Sequence, residues 1–443
     1  MKLTTKLKQI RNIGILKVFF YNSFVSIIKL FFSLITNKLI AIYLGPSGLS
    51  VLGQFSNFVG FTSFFARLGI GNGVTSTIAH ANTQELKMDV IKTSFSMTFF
   101  SSILISTLII LFSGLIIEIL FSHSYFYSIL IIYSFSLFFY TINAISYASL
   151  NGLKQYKFNM RLNLLTSVFG LLTTATLVIF WKIYGAIVSI IITEIITSIF
   201  ALFFLKKNIK FNFKRILKSI FSYIWLNIIN KKELIMRLLK YSVMSFVALF
   251  SDTGCQLIMR TYLINEISYF DAGLWQALIK ISDSYLNIIT VTLSLYYLPK
   301  LAEITDKYLI RNEIFNSLKI ILFIVVIIDL LIITIKDTLI VVLFSNDFSS
   351  IGDLIYFQLV GDLFRIISWM LTYILIAKAF TAKYIIAEIF SVLVYLMISF
   401  VLIKSLGLKG ITLAYIFRYL FSLILLLFFT RDYLPQIPLK LFK

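Results

Sequence analysis

Apolar residues run in blocks of about 20 along almost the whole chain, separated by short clusters rich in Lys, Arg, Asn and Ser. A helix rises 1.5 Å per residue, so about 20 residues cross the roughly 30 Å hydrocarbon core of a bilayer. At that length the pattern predicts twelve transmembrane helices, over 18–43, 48–73, 91–113, 129–150, 162–181, 185–205, 241–262, 272–298, 319–335, 354–377, 384–403 and 410–430. The stretch SIFSYIWLNII (219–229) is apolar but too short to span. Its flanking lysines and Trp225 suit a helix lying among the headgroups. The glycines of LGIGNGV (68–74) follow no strand, so a phosphate-binding loop is not expected; they read as the end or a kink of the second span.

Composition narrows the class. Hydrophobic residues make up 59% of the 443 and charged residues only 13%, against about 45–50% and 25% in soluble domains. No loop on the outer side exceeds about twenty residues, too few for a catalytic domain with its own core. The single cysteine, Cys255, excludes an internal disulfide, and His80 and His123 lie far apart, so no metal site or other cofactor is expected. The net charge of +21 raises the question of nucleic acid, and its distribution answers it. With the N-terminus cytoplasmic, loops on that side hold 29 Lys and Arg and the opposite loops hold four: Lys182, Lys336, Lys404 and Lys409. That asymmetry puts both termini inside and makes the charge topogenic, with membrane lipid and not nucleic acid as its partner. The basic start, MKLTTKLKQIRNIGILK, leads into a span too long for a signal peptide and is expected to stay attached.

The chain also repeats itself. IEILFSHSYF (117–126) parallels IVVLFSNDFS (340–349) at an offset of 223, and GPSGL (45–49) parallels FDAGL (270–274) at 225. Six spans per half is even, so both halves share one orientation. The expected fold is an all-α polytopic membrane protein of two six-helix lobes related by a pseudo-two-fold along the membrane normal, with a site between them. Residues 1–205 would form one lobe, 206–240 a basic cytoplasmic linker with the interfacial segment, and 241–443 the other.

Seven bases remain inside spans: Lys29, Lys38, Arg67, Arg260, Lys280, Arg365 and Arg418. Facing lipid they would cost on the order of 15–20 kcal/mol, more than a typical folding stability. Arg67, Lys38 and Arg260 lie near span ends, where snorkelling competes with a cavity role; Lys29, Arg365 and Arg418 lie near mid-span, where it does not reach. Local pairing is the other bland account. Lys280 and Asp283, and Asp362 and Arg365, are spaced i,i+3 and can meet on one helix face. Glu194, Asp252 and Asp329 have no such neighbour; with Glu388 they are candidates for balancing bases across helices or for coupling transport to a proton or sodium gradient. Aromatic side chains could stack on sugars, but 45 Phe and 24 Tyr leave the choice open.

LGPSGLSVLGQF (44–55), GIGNGVT (69–75), GLWQALIKISDSYL (273–286), YLPKLAEIT (297–305), QLVGDLFR (358–365) and ILIAKAFTAKYIIAE (374–388) occur in order. Through them the chain resembles the Wzx-type flippases, the polysaccharide-transporter branch of the multidrug/oligosaccharidyl-lipid/polysaccharide superfamily. The resemblance runs from the first span into the eleventh. It implies two six-helix lobes, a central cavity, alternating access, and movement of undecaprenyl-pyrophosphate-linked oligosaccharides from the cytoplasmic to the periplasmic leaflet of the bacterial inner membrane. A polysaccharide polymerase and a chain-length regulator are the partners expected with such a protein. The matching charged positions are Lys38, Arg260, Asp283, Asp362, Lys378 and Glu388. Arg67, Lys280 and Arg418 depart from the pattern of flippases for enterobacterial common antigen, which favours an O-antigen repeat as substrate.

The physical need is a polar path for a sugar headgroup and a diphosphate, and Arg or Lys supplies the fixed cations. Lys29, Lys38, Arg67, Arg260, Lys280, Asp283, Asp362, Arg365 and Arg418 are therefore the candidate substrate-binding charges. A cation-coupled multidrug exporter of the same superfamily is the rival; a site for cationic drugs should be dominated by unpaired acids. A membrane-embedded polymerase or acyltransferase would need a large periplasmic loop or a histidine in or near the membrane. The chain reads as a conduit and not an enzyme.

Overall fold

A computed structural model describes residues 2–121, 126–209, 231–304, 306–378 and 380–433. The described residues are overwhelmingly helical, and nine stretches among them are long and apolar enough to cross a membrane. The interfacial segment 219–229 and His123 lie outside the described residues.

In chain order the helices are α1 (Lys2–Ala66), α2 (Gly71–His80), α3 (Gln84–Leu111), α4 (Ser113–Leu120), α5 (Phe126–Gly152), α6 (Tyr156–Ile209) and α7 (Lys232–Leu249). There follow α8 (Cys255–Glu266), α9 (Tyr269–Thr292), α10 (Leu298–Glu303), α11 (Lys307–Leu343), α12 (Ile355–Ala377), α13 (Thr381–Leu406) and α14 (Leu408–Thr430). Helix starts carry the expected caps. The Thr83 hydroxyl accepts from Leu86 N at 3.2 Å, Ser268 from Asp271 N at 3.0 Å, and the Asp306 carboxylate from Tyr308 N at 2.6 Å. Each satisfies a backbone N–H that the first turn leaves without an intrahelical partner.

Two helices are broken by backbone that a continuous helix excludes. In α1 the break is Gly45 (φ 62°, ψ −169°) followed by Pro46; in α6 it is Lys182 (φ 47°, ψ −124°). The expected end of the second span is also a break: Leu68 (φ 56°) and Gly69 (φ 59°) turn the chain between α1 and α2. The last part of the expected linker is helical. Residues 232–240 are the opening turns of α7, because KELIMRLLK is amphipathic and places Leu238 in the core with Leu234 and Leu239 packed against it. Lys231 adds an ion pair to Asp89 at 2.8 Å.

The chain divides into two compact units, one of Met1–Leu44 with Val51–Thr253, the other of Gly45–Ser50 with Gly254–Lys443. The division falls in a π-helical stretch, Phe250–Gly254, and not in the basic segment before it. The core of the first unit gathers Ile70, Val74, Ile78, Ile91, Ile145 and Leu205. That of the second gathers Cys255, Met259, Trp275, Tyr395, Ile403 and Ile411. Phe135, Phe180, Phe323, Leu330 and Met397 stand exposed, as side chains facing acyl chains must.

The same local devices recur in both units. Phe121 stacks on Phe126 at 4.4 Å, and Phe344 on Phe348 at 5.1 Å, all four fully buried. A Cβ at Gly185 would overlap the Leu177 carbonyl, and one at Gly410 would overlap the Leu402 carbonyl. Lys182 and Gly407, each at positive φ, stand three residues before those glycines. Both sets of positions differ by 225, the offset that relates GPSGL to FDAGL.

Candidate functional site

In the second unit the intramembrane charges converge on one another through aromatic side chains. Asp362, on α12, is fully buried, and its two carboxylate oxygens accept from the hydroxyls of Tyr285 (2.7 Å) on α9 and Tyr415 (2.6 Å) on α14. Gly361 makes this possible, since a Cβ there would overlap the Tyr415 ring. Arg365 donates to the Tyr415 hydroxyl at 3.1 Å and forms an ion pair with Asp283 at 3.3 Å. Its guanidinium lies 4.4 Å from the Trp369 ring and 5.8 Å from Tyr419. The Arg418 guanidinium lies 5.1 Å from the Tyr419 ring and 5.4 Å from Tyr395, and Glu388 lies within its electrostatic reach.

The expected Asp362–Arg365 contact is thus a relayed one. The Tyr415 hydroxyl stands between them, and the carboxylate that Arg365 meets directly is Asp283, whose side chain is 49% exposed against 13% for the arginine. Spacing on one helix permits an i,i+3 pair but does not exclude a better acceptor on a neighbouring helix. Lys280 lies within electrostatic reach of Arg260 and Asp283.

Arg260 does not snorkel. It is fully buried, donates to the Gln276 side chain and lies over the Trp275 ring at 5.4 Å, with Nε and Nη1 left without partners. Its cost is moderated by the indole face and one amide oxygen. Asp329, 6% exposed on α11, has neither carboxylate oxygen hydrogen-bonded, and its electrostatic neighbours are Asp362 and Tyr285.

The first unit holds the remaining charges, and it does not place them all together. Lys29 is exposed, Lys38 half-buried, and Asp252 exposed on the π-helical stretch. Arg67 is half-buried and has Glu194, Tyr133 and Tyr140 as electrostatic neighbours. Glu194 is not isolated. It accepts from Asn143 Nδ2 at 2.8 Å, and that amide also reaches the Thr197 hydroxyl at 3.2 Å.

Sequence reasoning missed the aromatic and amide partners: Tyr285, Trp369, Tyr395, Tyr415 and Tyr419 in one unit, Tyr133, Tyr140 and Asn143 in the other. A signal existed for two of them. Trp369 follows Arg365 by four residues, and Tyr419 follows Tyr415 by four, the spacing that puts side chains on one helix face.

Long apolar helices, with charges drawn inward onto tyrosine hydroxyls and aromatic faces, define a multi-pass membrane protein built around polar interiors. The chain belongs to the family described as polysaccharide biosynthesis protein, whose profile matches residues 15–254. That agrees with the resemblance carried by the ordered segments. The chain is 27% identical over 366 residues to the lipid III flippase of Escherichia coli (strain K12), covering 82% of this chain and 85% of that one. The lipid III flippase of Shigella flexneri matches to the same extent. Among solved structures, an inward-facing multidrug resistance MATE family transporter of the MOP superfamily is similar with a TM-score of 0.75 at 15% identity, over 92% of this chain and 97% of that one. The lipid II flippase MurJ, in an inward closed conformation, is similar with a TM-score of 0.72 at 18% identity, over 94% and 89%. These two likenesses bear on the fold alone. The relatives and neighbours are flippases and transporters, and none of them is an enzyme.

Proposed function

We propose that the protein is a flippase for undecaprenyl-pyrophosphate-linked oligosaccharides, working by alternating access in the bacterial inner membrane. The observation that carries this reading is that Arg365 and Arg418, cations within apolar spans, lie 5.8 and 5.1 Å from the one Tyr419 ring. The architecture proposed is twelve crossings in two six-helix lobes with both termini cytoplasmic. Nine stretches meet the criteria of length and composition; Ile27–Ala66 and Lys157–Lys207 each span about twice a bilayer and break in the middle. Tyr269–Thr292 is long enough to be the twelfth, its charges marking it as site-bearing.

In this mechanism Arg365 exchanges partners. Without substrate its charge is balanced by Asp283, whose side chain is half-exposed; an arriving diphosphate oxygen replaces that carboxylate. Tyr415 and Trp369 keep the guanidinium in place during the exchange. The polyprenyl tail stays in lipid while the headgroup follows the polar interior. For the glycan, Arg67, Lys280 and Arg418 support an O-antigen repeat. The lipid III flippase relatives favour the second reading, a common-antigen repeat.

The test is export of the host's lipid-linked repeat by purified protein in proteoliposomes. Arg365→Ala and Arg418→Ala are each expected to lower the rate by about tenfold or more, because a charge-assisted pair is lost. Arg365→Lys should retain part, keeping the charge but losing the planar fork. Full export by both alanine variants would overturn the assignment of these cations to the diphosphate.

A further inference from the structure

Six residues near the start of the chain belong to the far end of it. The residues up to Leu44 and those from Val51 are part of the first unit, whereas Gly45–Ser50, between them, are part of the second. What holds this strap in the second unit is backbone on backbone. A Cβ on Gly273, in the second turn of α9, would overlap the Pro46 carbonyl, so strap and helix meet with no side chain between them. Gly185 and Gly410 meet carbonyls eight residues earlier, in their own hairpins; Gly273 meets one 227 residues earlier. Both sides of the contact are stiff. The proline ring fixes φ at the docking residue, and the Ser268 hydroxyl caps α9 just below Gly273, accepting from Asp271 N at 3.0 Å. The two sides are also counterparts. GPSGL and FDAGL are matched by the repeat, and Gly273 stands at the position that Gly48 holds in the strap. A segment packed on its own counterpart makes a self-complementary contact, the kind that two-fold related copies make.

The strap is anchored and yet poised to leave. Pro46 is buried, and Leu49 and Ser50 are fully so. Its entry is a hinge: Gly45 takes φ 62° and ψ −169°, a conformation open to glycine, and a Cβ there would meet nothing within 4 Å. The Ser50 hydroxyl is buried without a hydrogen-bond partner, an unmade bond that weakens the docked state against a released one in which water reaches it. Both ends of the strap continue into the first unit, so a displacement of that unit pulls on Pro46 from either side.

We infer that Gly45–Ser50 is a clasp on α9, docked in this structure and lifted in each transport cycle. The inference rests on the flippase reading and deepens it. Alternating access needs a contact that yields and re-forms, and a stiff contact beside a free glycine hinge does both.

The experiment labels one thiol at a time. In a Cys255→Ala background, Ser50→Cys puts a thiol on the buried part of the strap, and Ser47→Cys puts one on its exposed part as a reference. The full-length proteins are expressed in a deletion strain and treated with a membrane-impermeant maleimide from the periplasmic side. Two hosts are compared, one that makes the lipid-linked repeat and one that lacks the first glycosyltransferase. The Ser50→Cys thiol is expected to react slowly without the repeat and severalfold faster with it, while Ser47→Cys reacts at one rate in both. Adding Gly273→Ala, which drives strap and helix apart, should raise the Ser50→Cys rate without the repeat by about tenfold or more, the population shift that overpacking of ordinary cost produces. Gly185→Ala, an overlap of the same kind in another hairpin, should not. A Ser50→Cys rate indifferent to the repeat, in a protein that restores surface glycan, overturns the clasp and leaves the flippase reading standing. That comparison holds whether or not the Gly273→Ala protein folds. A rate raised equally by both alanine variants also overturns the clasp, since general loosening then accounts for the exposure. Failure of the wild-type protein to restore surface glycan to the deletion strain overturns the flippase reading, and the clasp with it.

Discussion

Tyr415 is the residue on which the charges of the second unit depend. Its hydroxyl accepts from Arg365 and donates to Asp362, so one phenol serves a cation and an anion at once. Tyr415→Phe removes both bonds without emptying the volume of the ring. It leaves Asp362 with the bond from the Tyr285 hydroxyl and Arg365 more dependent on Asp283. The expected result is a loss of about 1–3 kcal/mol in the unfolding free energy of the purified protein, together with reduced export. Gly361→Ala should act through the same bonds, because the added methyl displaces the Tyr415 ring. If Tyr415→Phe left stability and export at wild-type levels, the relay between Asp362 and Arg365 would have no energetic weight. The presence of charges at 280, 283, 362 and 365 was legible in the sequence, since any ionised side chain in an apolar run stands out. Their partners were not, because tyrosine is common throughout this chain and pairing is decided by helices that meet only after folding.

The breaks at Lys182 and Gly407, one in each unit, give the next test. Lys182 and Gly407 turn the chain at the same position of the repeat, both at positive φ, yet one is a lysine. A residue with a Cβ held in that sparsely populated region stores about 1–3 kcal/mol. Lys182→Gly is therefore expected to raise the thermal midpoint of the purified protein, by the equivalent of about 1 kcal/mol once the unfolded chain's added freedom is subtracted. Gly407→Lys should lower it. Gly185→Ala and Gly410→Ala should be worse than either, because each methyl meets a backbone carbonyl that cannot rotate away. Gly45→Ala is the control: its φ is 62°, but nothing lies within 4 Å of the added Cβ, so only the conformational cost applies. A Gly410→Ala protein as stable as Gly45→Ala would contradict the close approach. The breaks themselves were legible at Gly45 and at the glycines after residue 68, where sequence chemistry announces them. The π-helical stretches Phe250–Gly254 and Leu293–Tyr297 were not, since they leave no mark in hydrophobic periodicity. Helix α7 begins at Lys232, ahead of the expected span, because the apolar stripe of KELIMRLLK finds a core that the sequence does not display.

At the scale of the whole molecule, charge distribution and helix breaks make one joint prediction. Twenty-nine Lys and Arg on one side against four on the other are expected to orient the chain with its termini in the cytoplasm. Lys157–Lys207 is 51 residues long, about 77 Å if it were straight, and the turn at Lys182 is what lets it cross twice. Lys157 and Lys207 should therefore face the cytoplasm and Lys182 the periplasm. The chain offers a convenient way to ask. Its single cysteine, Cys255, is buried, and Cys255→Ala provides a background in which one new thiol at a time is introduced. With a membrane-impermeant maleimide, Lys182→Cys should label in intact cells, whereas Lys157→Cys and Lys207→Cys should label only after permeabilisation. The three thiols are all on exposed positions, so differences in labelling report sidedness and not burial. The reverse pattern would overturn the orientation while keeping two crossings. Labelling of Lys182→Cys together with Lys157→Cys from the same side would instead remove a crossing, and with it the even number of spans that lets both halves of the repeat face the same way.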